Sequence, residues 1–355
     1  MSRVVRPQDP RLTDENSPFM QHDVHFIVHR HRIRVTQSME NAKAQSRNLL
    51  TPLYVVQAKD EAVHLEDRAK MTATVQKDLL AEVNPQHTKH LPGFLPLYIG
   101  MRLLLSSKDC VRFGIVNGCP CTLRDIVFAD DEILPSPLVA GHAHQLTFMP
   151  VSLILQADGA EWTLPTTELP ARLPDGIDRR GLFQLRPTYD YLRAHHENAY
   201  FSVRRTCFLA TPADTITVYA AQGSTYEAVV ADMRKPPSES SAKHWLACYV
   251  MLSRAKNLEG FLVLRPATRT ELCERPPKYL LDELDRLSNL ETQSLRELVE
   301  YMNELPIEVP TDIRAILATD AGPREKQAVN THRGLVSGLQ LPPKRRYSSK
   351  KTPGT

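Results

Sequence analysis

The chain of 355 residues lacks several features that mark particular classes of protein. It has no apolar run near the roughly 18 residues that a membrane-spanning helix needs, so we expect no transmembrane segment. Residues 1–10 carry Arg and Asp without an apolar core, and this pattern is not that of a secretory signal. The six cysteines have no framework spacing, which favours reduced thiols. We therefore expect a nuclear or cytoplasmic protein.

Two groups of side chains suggest a metal site, but neither completes one. They are Cys110, Cys119 and Cys121, and His22, His25, His29 and His31. The cysteines lack a fourth ligand at a useful spacing, so we interpret them as buried thiols. The histidines have no sulfur or carboxylate partners placed to complete a coordination sphere. We therefore predict no metal site.

The chain also contains no Gly-x-x-x-x-Gly-Lys-[Ser/Thr] sequence. In nucleotide-binding proteins that loop supplies the backbone amides and the lysine that hold the β- and γ-phosphates. The sequence of residues 126–132 is similar to that of a strand ending in a Mg²⁺-binding carboxylate pair, but no phosphate loop precedes it. We interpret them as a strand that runs into an acidic loop. The chain alone is therefore not expected to hydrolyse a nucleoside triphosphate.

The composition is that of a globular protein with room for about two domains. Hydrophobic residues make up 42% and charged residues 24%, which is enough for a packed core. The formal net charge is +3, but five of the 44 basic residues lie in the acid-free stretch 341–355. The other 39 stand against 41 acidic residues, so residues 1–340 carry a net charge of −2. Binding to nucleic acid would therefore use a local groove and not the overall charge.

Residues 211–260 hold the most informative pattern in the chain. Thr215–Thr225 reads Thr-Ile-Thr-Val-Tyr-Ala-Ala-Gln-Gly-Ser-Thr, and Tyr249–Ala255 reads Tyr-Val-Met-Leu-Ser-Arg-Ala. Between them, Glu227–Met233 has the length and composition of a buried strand, and Gly260–Leu264 follows as another. This order of helix, strand, helix and strand predicts a parallel sheet covered by helices.

Upstream, Val24–Val28 and Leu53–Asp60 are predicted to be strands, and Gln37–Asn48 between them is predicted to be a helix. Short strands within 97–128, with turn chemistry at Asn117-Gly118, predict a small β-barrel or meander. Further predicted elements are strands in Gln145–Leu155 and Glu161–Thr166, a short helix near Tyr189–His196, and amphipathic helices at Lys278–Leu287 and Ser294–Leu305.

The two segments of the 211–260 region resemble the last motifs of superfamily 1 helicases, most closely the Pif-family and RecD-like DNA helicases. Those proteins carry a Thr-Ile-His-Lys-x-Gln-Gly-x-Thr block and then a Tyr-Val-Ala-Leu-Ser-Arg-Ala block. The preceding segment Arg204–Ala213 is similar to the family's approach to the first block. Ala58-Lys59-Asp60 is similar to an Ala-x-Asp that often ends a strand in the family.

The resemblance implies an α/β fold, with a RecA-like parallel sheet of the P-loop NTPase type, a small SH3-like β-barrel that interrupts it, and C-terminal helices. Gly100-Met101-Arg102 and Val116-Asn117-Gly118 occur in the same order as in the family's SH3-like insertion. The implied domains are a loosely ordered N-terminus at 1–20, a discontinuous second RecA-like domain at 21–90 and 200–268, the SH3-like insertion at 91–170, a connector at 171–199, a helical extension at 269–320 and a disordered basic tail at 321–355.

The resemblance assigns the sharpest role to Arg254. In these helicases the arginine of Leu-Ser-Arg-Ala reaches across a cleft to the γ-phosphate, a contact that suits a planar, always charged guanidinium. The alternative is an arginine that stabilises the C-terminus of its own helix. Gln222, Gly223 and Ser253 would couple the nucleotide state to the bound strand. Gly223 could equally cap a preceding helix.

Contacts with nucleic acid are implied for Thr217, Tyr219, Thr225 and Asn117. The chain departs from the family at residues 219–221, where His, Lys and usually Ser stand in the family. The absent lysine removes a phosphate partner from the block. Tyr219 offers a ring that stacks on a base or, in the alternative, fills the core.

The basic cluster at residues 29–34 lies where the family places a motif with a nucleotide-contacting arginine. The alternative is a solvated basic loop, and the sequence does not identify which arginine would correspond.

The function implied by the resemblance is that of the C-terminal portion of an ATP-dependent DNA helicase, of a kind used in repair or recombination, with single-stranded DNA as its partner. The matched region, roughly residues 24–265, covers about half of such a helicase. ATP and Mg²⁺ would bind only where another chain or domain supplies the first RecA-like domain. The competing interpretation is a non-enzymatic module, derived from a helicase, that binds single-stranded nucleic acid or protein.

Overall fold

The computed structural model describes residues 9–106, 113–165, 176–197 and 199–304, together with positions 4, 169 and 311. Two compact units are present, Met1–Pro276 and Pro277–Thr355. Cys110, Thr166, Leu305 and the predicted disordered tail at 321–355 lie outside the described residues.

The strands are β1 Val24–Val28, β2 Leu53–Gln57, β3 Lys59–Ala62, β4 Phe94–Leu97, β5 Arg102–Leu105, β6 Pro120–Val127, β7 Ala143–Gln145, β8 Ser152–Ala157, β9 Leu182–Leu185, β10 Thr188–His196, β11 Ala199–Cys207, β12 Ala210–Pro212, β13 Thr215–Thr217, β14 Ala228–Asp232 and β15 Phe261–Arg265. The helices are α1 Pro18–Gln21, α2 His31–Asn48, α3 Ala73–Ala81, α4 Pro85–Thr88, α5 Ser241–Leu252, α6 Arg269–Leu272 and α7 Lys278–Glu304. Among the described residues, no helix combines the length and the apolar character that crossing a membrane requires.

Four strands form a parallel sheet in the order β13, β1, β14, β15. At its centre, Phe26 of β1 lies between Thr215 of β13 and Val230 of β14. Every residue of β14 is buried, as expected for a parallel strand covered on both faces. After β14, the Ser240 side chain accepts a hydrogen bond from the Lys243 N–H and caps the start of α5. The predicted α/β fold with a parallel sheet is confirmed.

A separate antiparallel sheet has the order β12, β5, β6, β8, β9. Leu103, Leu123 and Leu153 from three of its strands are fully buried in the largest core cluster. The Asn117-Gly118 turn precedes β6, and Gly118 has a φ of +85°, which glycine adopts without strain. The pairing establishes an antiparallel sheet in this region, and its closure into an SH3-like barrel stays a prediction.

Residues 189–196 form most of strand β10 and not the predicted short helix. The strand pairs antiparallel with β11 along its whole length. Leu192 and Ala194 are buried, whereas Tyr191 and Arg193 are exposed, so the burial period is two residues. The prediction failed because a strand with one solvated face is as polar in composition as a surface helix.

The Thr215–Thr225 block begins as a strand and not as a helix. Its first three residues form β13, which pairs with β1, and a turn around residues 219–223 follows. The predicted strand Leu53–Asp60 divides into β2 and β3, which pair with other strands outside the parallel sheet. An apolar run favours a strand without specifying its partner, because side-chain packing and burial decide where a strand fits.

Two helices differ from their predicted bounds. Helix α2 begins at His31, ahead of the predicted start at Gln37, and so includes most of the basic cluster. Helix α7 is continuous where two helices were predicted. The residues that separate the predicted pair, 288–293, contain neither Pro nor Gly, so no residue there breaks the helix.

A buried ion pair joins β3 to β11. Arg205 is fully buried and Asp60 is 4% exposed, and Nε and Nη2 of Arg205 donate to the two carboxylate oxygens at 2.8 and 2.7 Å. The guanidinium also donates to the carbonyl oxygens of Leu79 at 2.7 Å and Leu91 at 3.4 Å. The two segments that resemble the helicase family around Asp60 and Arg205 therefore meet in the fold.

Replacing Gly260 with alanine is expected to destabilise the parallel sheet. A β-carbon at Gly260 would overlap the backbone carbonyl oxygen of Glu227, and this backbone cannot move freely because the Val229 N–H donates to the Gly260 carbonyl at 2.7 Å. We expect a loss of about 2–3 kcal/mol in the free energy of unfolding, measured by urea denaturation. Glu259→Ala, at the exposed neighbouring position, is the control and should leave the midpoint unchanged. Equal midpoints for the two variants would contradict the prediction.

Candidate functional site

The two helicase-like blocks lie along the same parallel sheet but extend to different edges of it. Because its four strands run in one direction, their carboxyl ends share one edge and their amino ends share the other. Helix α5 returns the chain from the carboxyl edge to the amino edge, where Tyr226 pairs with Ala255. Arg254 therefore lies at the amino edge, whereas Thr217 and Tyr219 stand at the carboxyl end of β13.

Arg254 connects the second block to the turn of the first. Its Nη1 donates to the carbonyl oxygens of Ser224 at 2.8 Å and Ala221 at 3.2 Å. Its Nε donates to the Val250 carbonyl at 3.1 Å, and its Nη2 to the Ser253 hydroxyl at 2.9 Å. The guanidinium thus clamps the Gln-Gly turn and also satisfies a carbonyl near the end of its own helix, as the alternative interpretation expects. The γ-phosphate contact stays a prediction.

The residues predicted to couple the nucleotide state to the bound strand lie around these contacts of Arg254. Gln222 and Gly223 lie between the two carbonyls that Arg254 binds, and both are exposed, as are Ser253 and Thr225. Gly223 has a φ of +82°, and no heavy atom of the described chain lies within 4 Å of the position a β-carbon would take. A ligand group can therefore approach this turn closely.

Thr217 and Tyr219 have opposite environments. Thr217 is 6% exposed, and its Oγ1 accepts a hydrogen bond from the Ala220 N–H at 3.4 Å, so its hydroxyl is used to start the turn. Tyr219 is 75% exposed. This excludes Tyr219 as core filler and leaves its ring free to stack on a flat group.

The basic cluster of residues 29–34 occupies the carboxyl edge, where β1 leads into α2. Arg30 is exposed, and its Nη2 donates to the Ser238 hydroxyl at 2.7 Å. Arg32 is also exposed, but it lies in the first turn of α2, so residues 31–34 are helical and not the loop of the alternative interpretation. Arg34 is partly buried, and burial lowers the pKa of its guanidinium against the opposing effect of Asp214. Its Nε has no hydrogen-bond acceptor within the described part of the chain, and Arg34 is the least exposed arginine of the cluster.

Sequence reasoning missed the polar group that ties α2 to the first block. Asn41 Nδ2 donates to Asp214 Oδ2 at 2.5 Å and to Thr215 Oγ1 at 3.3 Å. Burial raises the pKa of the Asp214 carboxyl. The signal available in the sequence was the position of Asp214 directly before the block.

Asn117, the remaining predicted nucleic-acid contact, lies outside the parallel sheet. It is exposed in the turn that leads into β6 of the five-stranded sheet. Of the predicted thiols, Cys121 is buried, and its sulfur lies 3.9 Å from that of Cys119, which is only partly buried. Within the residues that the structure describes, no three His, Cys, Asp or Glu side chains are arranged to hold a metal ion.

Four histidines around the parallel sheet have lowered pKa values. Burial is the largest cause of the lowered pKa at His25, His29, His31 and His244. The rings of His29 and His244 have centroids 5.5 Å apart, so a charge on one also disfavours a charge on the other. In an unfolded chain these side chains titrate near about 6.5. The unfolded state therefore binds more protons, and stability present above about pH 6.5 is lost as the pH falls through the folded pKa values.

The thermal midpoint is accordingly expected to fall when the pH is lowered from about 7.5 to about 5. A variant with both His29→Gln and His244→Gln should show a shallower fall, because two of the groups that take up protons on unfolding are gone. His22→Gln, at an exposed position, is the matched control and should keep the wild-type slope. A double variant as pH-sensitive as the wild type would refute this assignment.

No family model and no curated protein matches the chain. Solved structures of Pif1 helicases do resemble it. For the Pif1 helicase from Candida albicans the identity is 17% and the TM-score 0.42, over 74% of this chain and 49% of that chain. For a Pif1 helicase from Bacteroides in complex with ADP-AlF3 and ssDNA the identity is 14% and the TM-score 0.42, over 78% and 47%. For Bacteroides Pif1 bound to ssDNA the values are 13% and 0.40, over 76% and 46%.

The chain thus spans about half the length of these Pif1 helicases. They belong to the family that the two sequence blocks resemble. TM-scores below 0.5 do not establish a shared fold, so no residue role is transferred from them.

Proposed function

We propose that the chain is the second RecA-like half of a Pif/RecD-like ATP-dependent DNA helicase, with the five-stranded sheet as its SH3-like insertion. Single-stranded DNA would be its nucleic acid. A first RecA-like domain, on the same or another chain, would bring ATP and Mg²⁺ to it. The observation that carries the proposal is the clamp from Arg254 to the Ala221 and Ser224 carbonyls, which joins the two helicase-like blocks.

This clamp offers a physical route from nucleotide to strand. The first block runs from Thr217 at the carboxyl edge to Ser224 beside Arg254 at the other. When Arg254 turns towards a γ-phosphate, its bonds to the turn are released and the turn gains freedom to move. Tyr219 lies at the far end of the same turn, so its position would depend on whether nucleotide is present.

The carboxyl edge suits a polynucleotide strand. The exposed Tyr219 follows β13 at the same edge at which the exposed Arg30 and Arg32 follow β1, and rings and cations are what a single strand needs for its bases and phosphates. Helices α2 and α5 both begin at this edge, and their N-terminal dipoles add to its attraction for anions.

In the proposed motor, this chain would supply one side of the ATP site. Arg254 can stabilise charge on the γ-phosphate as it is transferred to water. The carboxylate that ends β14, Asp232, accepts a hydrogen bond from Arg265 Nε at 2.8 Å and is almost fully buried, so it is not a free Mg²⁺ ligand. The phosphate loop and the Mg²⁺ carboxylate would therefore come from the first domain.

ATP hydrolysis tests the proposal directly. The purified chain is assayed with and without single-stranded DNA, alone and then with a first RecA-like domain added or fused. We expect no hydrolysis by the chain alone and DNA-stimulated hydrolysis by the combination. Hydrolysis by the chain alone would contradict the proposal, because it would require a phosphate-binding site that the sequence analysis did not identify.

The competing proposal is a strand-binding module without motor activity. The chain's departure from the helicase block at Ala220, where the family has lysine, favours it. This module would bind single strands with strong salt dependence and no response to nucleotide or to a first domain.

A further inference from the structure

Strands β10 and β11 form a hairpin with two very different faces. On the inner face Ala194, Phe201 and Val203 are buried in a small apolar cluster with Val75 of α3. The outer face carries Tyr189, Tyr191, Arg193, His195, Tyr200 and Arg204. The inner face stabilises the hairpin through this cluster, whereas the side chains of the outer face are not part of it.

Three tyrosine rings on this outer face are exposed to water. Tyr189 is 57%, Tyr191 52% and Tyr200 70% exposed. The centroids of Tyr189 and Tyr191 are 5.9 Å apart with the rings nearly perpendicular. A β-strand tolerates tyrosine on a solvated face, but three on one hairpin leave far more flat apolar surface in water than strand propensity requires.

Cations lie directly beside these rings. The guanidinium carbon of Arg193 is 5.6 Å from the Tyr200 centroid, and that of Arg204 is 5.6 Å from the Tyr189 centroid. Arg204 also forms an ion pair with Glu61 of β3 at 2.6 Å. Glu61 pairs with Lys59 as well, so this single carboxylate faces two cations, and Arg193 makes no ion pair within the described residues. The face is therefore net positive.

A cavity opens next to Tyr191 on this face. It has a volume of about 440 Å³ and is lined by Tyr191 and Arg204 of the hairpin, by Arg68 and Met71, and by residues 60–63, which include the acidic Asp60 and Glu61. A volume of this size lies within the range of small-ligand pockets. A flat group stacked on Tyr191 could therefore extend into a cavity where Arg68 adds one guanidinium to that of Arg204.

We propose that this outer face binds single-stranded nucleic acid, with bases stacked on Tyr189, Tyr191 and Tyr200 and with phosphates beside Arg193 and Arg204. Stacking accepts any base, because every base has a π-face, and it requires bases that are not already stacked in a duplex. The surface belongs to the sheet of β10, β11 and β3. It does not include Arg254 or Tyr219 and needs no ATP, so it stands independently of the proposed motor.

Fluorescence anisotropy with the full chain and no nucleotide tests this surface. The probes are labelled oligothymidine and oligouridine, a backbone of the same length without bases, and a duplex. We expect each of Tyr189→Ala, Tyr191→Ala and Tyr200→Ala to weaken single-strand binding by about 5- to 100-fold. Tyr→Phe at the same positions should retain affinity within about twofold, because the ring remains. Oligothymidine and oligouridine together show whether DNA, RNA or both are accepted.

Two exposed tyrosines of helix α7 provide the matched controls. Tyr279 and Tyr301 are 55% and 59% exposed, and their replacement by alanine should leave the affinity unchanged. Arg193→Glu is a second test that leaves the rings in place, and it should weaken binding and reduce its salt dependence.

The proposal fails if the alanine variants bind as the wild type does, or if the backbone without bases binds as tightly as oligothymidine. It also fails if Tyr219→Ala abolishes binding while the hairpin variants do not, because the strand would then lie at the parallel sheet. Loss of binding in the hairpin variants alone supports the hairpin as the site that binds single strands without nucleotide.

Discussion

Replacing Arg205 with alanine is expected to lower the free energy of unfolding by about 3–5 kcal/mol. The substitution leaves the Asp60 carboxylate, which is 4% exposed, without its bidentate partner in an environment poor in water. It also removes the donor to the Leu79 carbonyl. Urea denaturation of the full chain, extrapolated to water, measures the loss. If the variant is already unfolded without urea, the loss is at least as large as the wild type's free energy of unfolding.

The neighbouring residue on the same strand is a matched control. Arg204 also pairs with a carboxylate, Glu61, but this pair is exposed, so Arg204→Ala should change stability little because solvent screens it. A double variant with Arg205→Met and Asp60→Leu should recover much of the loss, because apolar side chains of similar volume replace a buried pair without leaving a charge. Equal losses for the two single arginine variants would show that burial does not govern this interaction.

Arg254→Ala is expected to reduce ATP turnover by about 10³- to 10⁵-fold once a first RecA-like domain completes the motor. The reason is that a guanidinium aimed at the γ-phosphate contributes only as charge develops in the transition state. Single-strand affinity without nucleotide should stay within a few fold of the wild type. Steady-state hydrolysis and anisotropy on the same samples measure both effects.

Two further variants separate the phosphate role of Arg254 from its clamp. Arg254→Lys keeps the positive charge but loses the planar fork, so turnover should remain strongly reduced. Lys256→Ala removes a nearby exposed cation that pairs with Glu227 and should leave turnover unchanged. If Arg254→Ala lowers the thermal midpoint but hydrolyses ATP as fast as Lys256→Ala, the residue is a turn clamp and not a phosphate contact.

Local patterns were sufficient where a segment's own apolar periodicity decides its structure. Strands β14 and β15 and helix α5 lie where the runs around Val230, Leu262 and Met251 predict them. The same reasoning failed at residues 189–196, because a strand with one solvated face and a polar helix share a composition. It also failed for β2, because its apolar run is compatible with the parallel sheet and with the antiparallel neighbours that it pairs with.

The candidate site was predicted only in part. The blocks around Gln222 and Arg254 were found because they resemble helicase motifs in residue type and order. That Arg254 binds the carbonyls of Ala221 and Ser224 was not predictable, because the bond depends on where the turn of one block is placed against the end of α5. The exposed face of the β10–β11 hairpin was missed for the same reason, since the register between two strands decides which side chains share a face.

Composition and residue order were enough to predict the α/β class, the parallel strands β14 and β15, the two helicase-like blocks and the absence of a phosphate loop within these 355 residues. These depend on composition, period and residue order, which are local properties. Three features became visible only in the folded chain: the buried pair of Arg205 and Asp60, the bonds from Arg254 to a turn, and the solvated face that three tyrosines share. These depend on distances between residues far apart along the chain, and only the packing of the strands sets such distances.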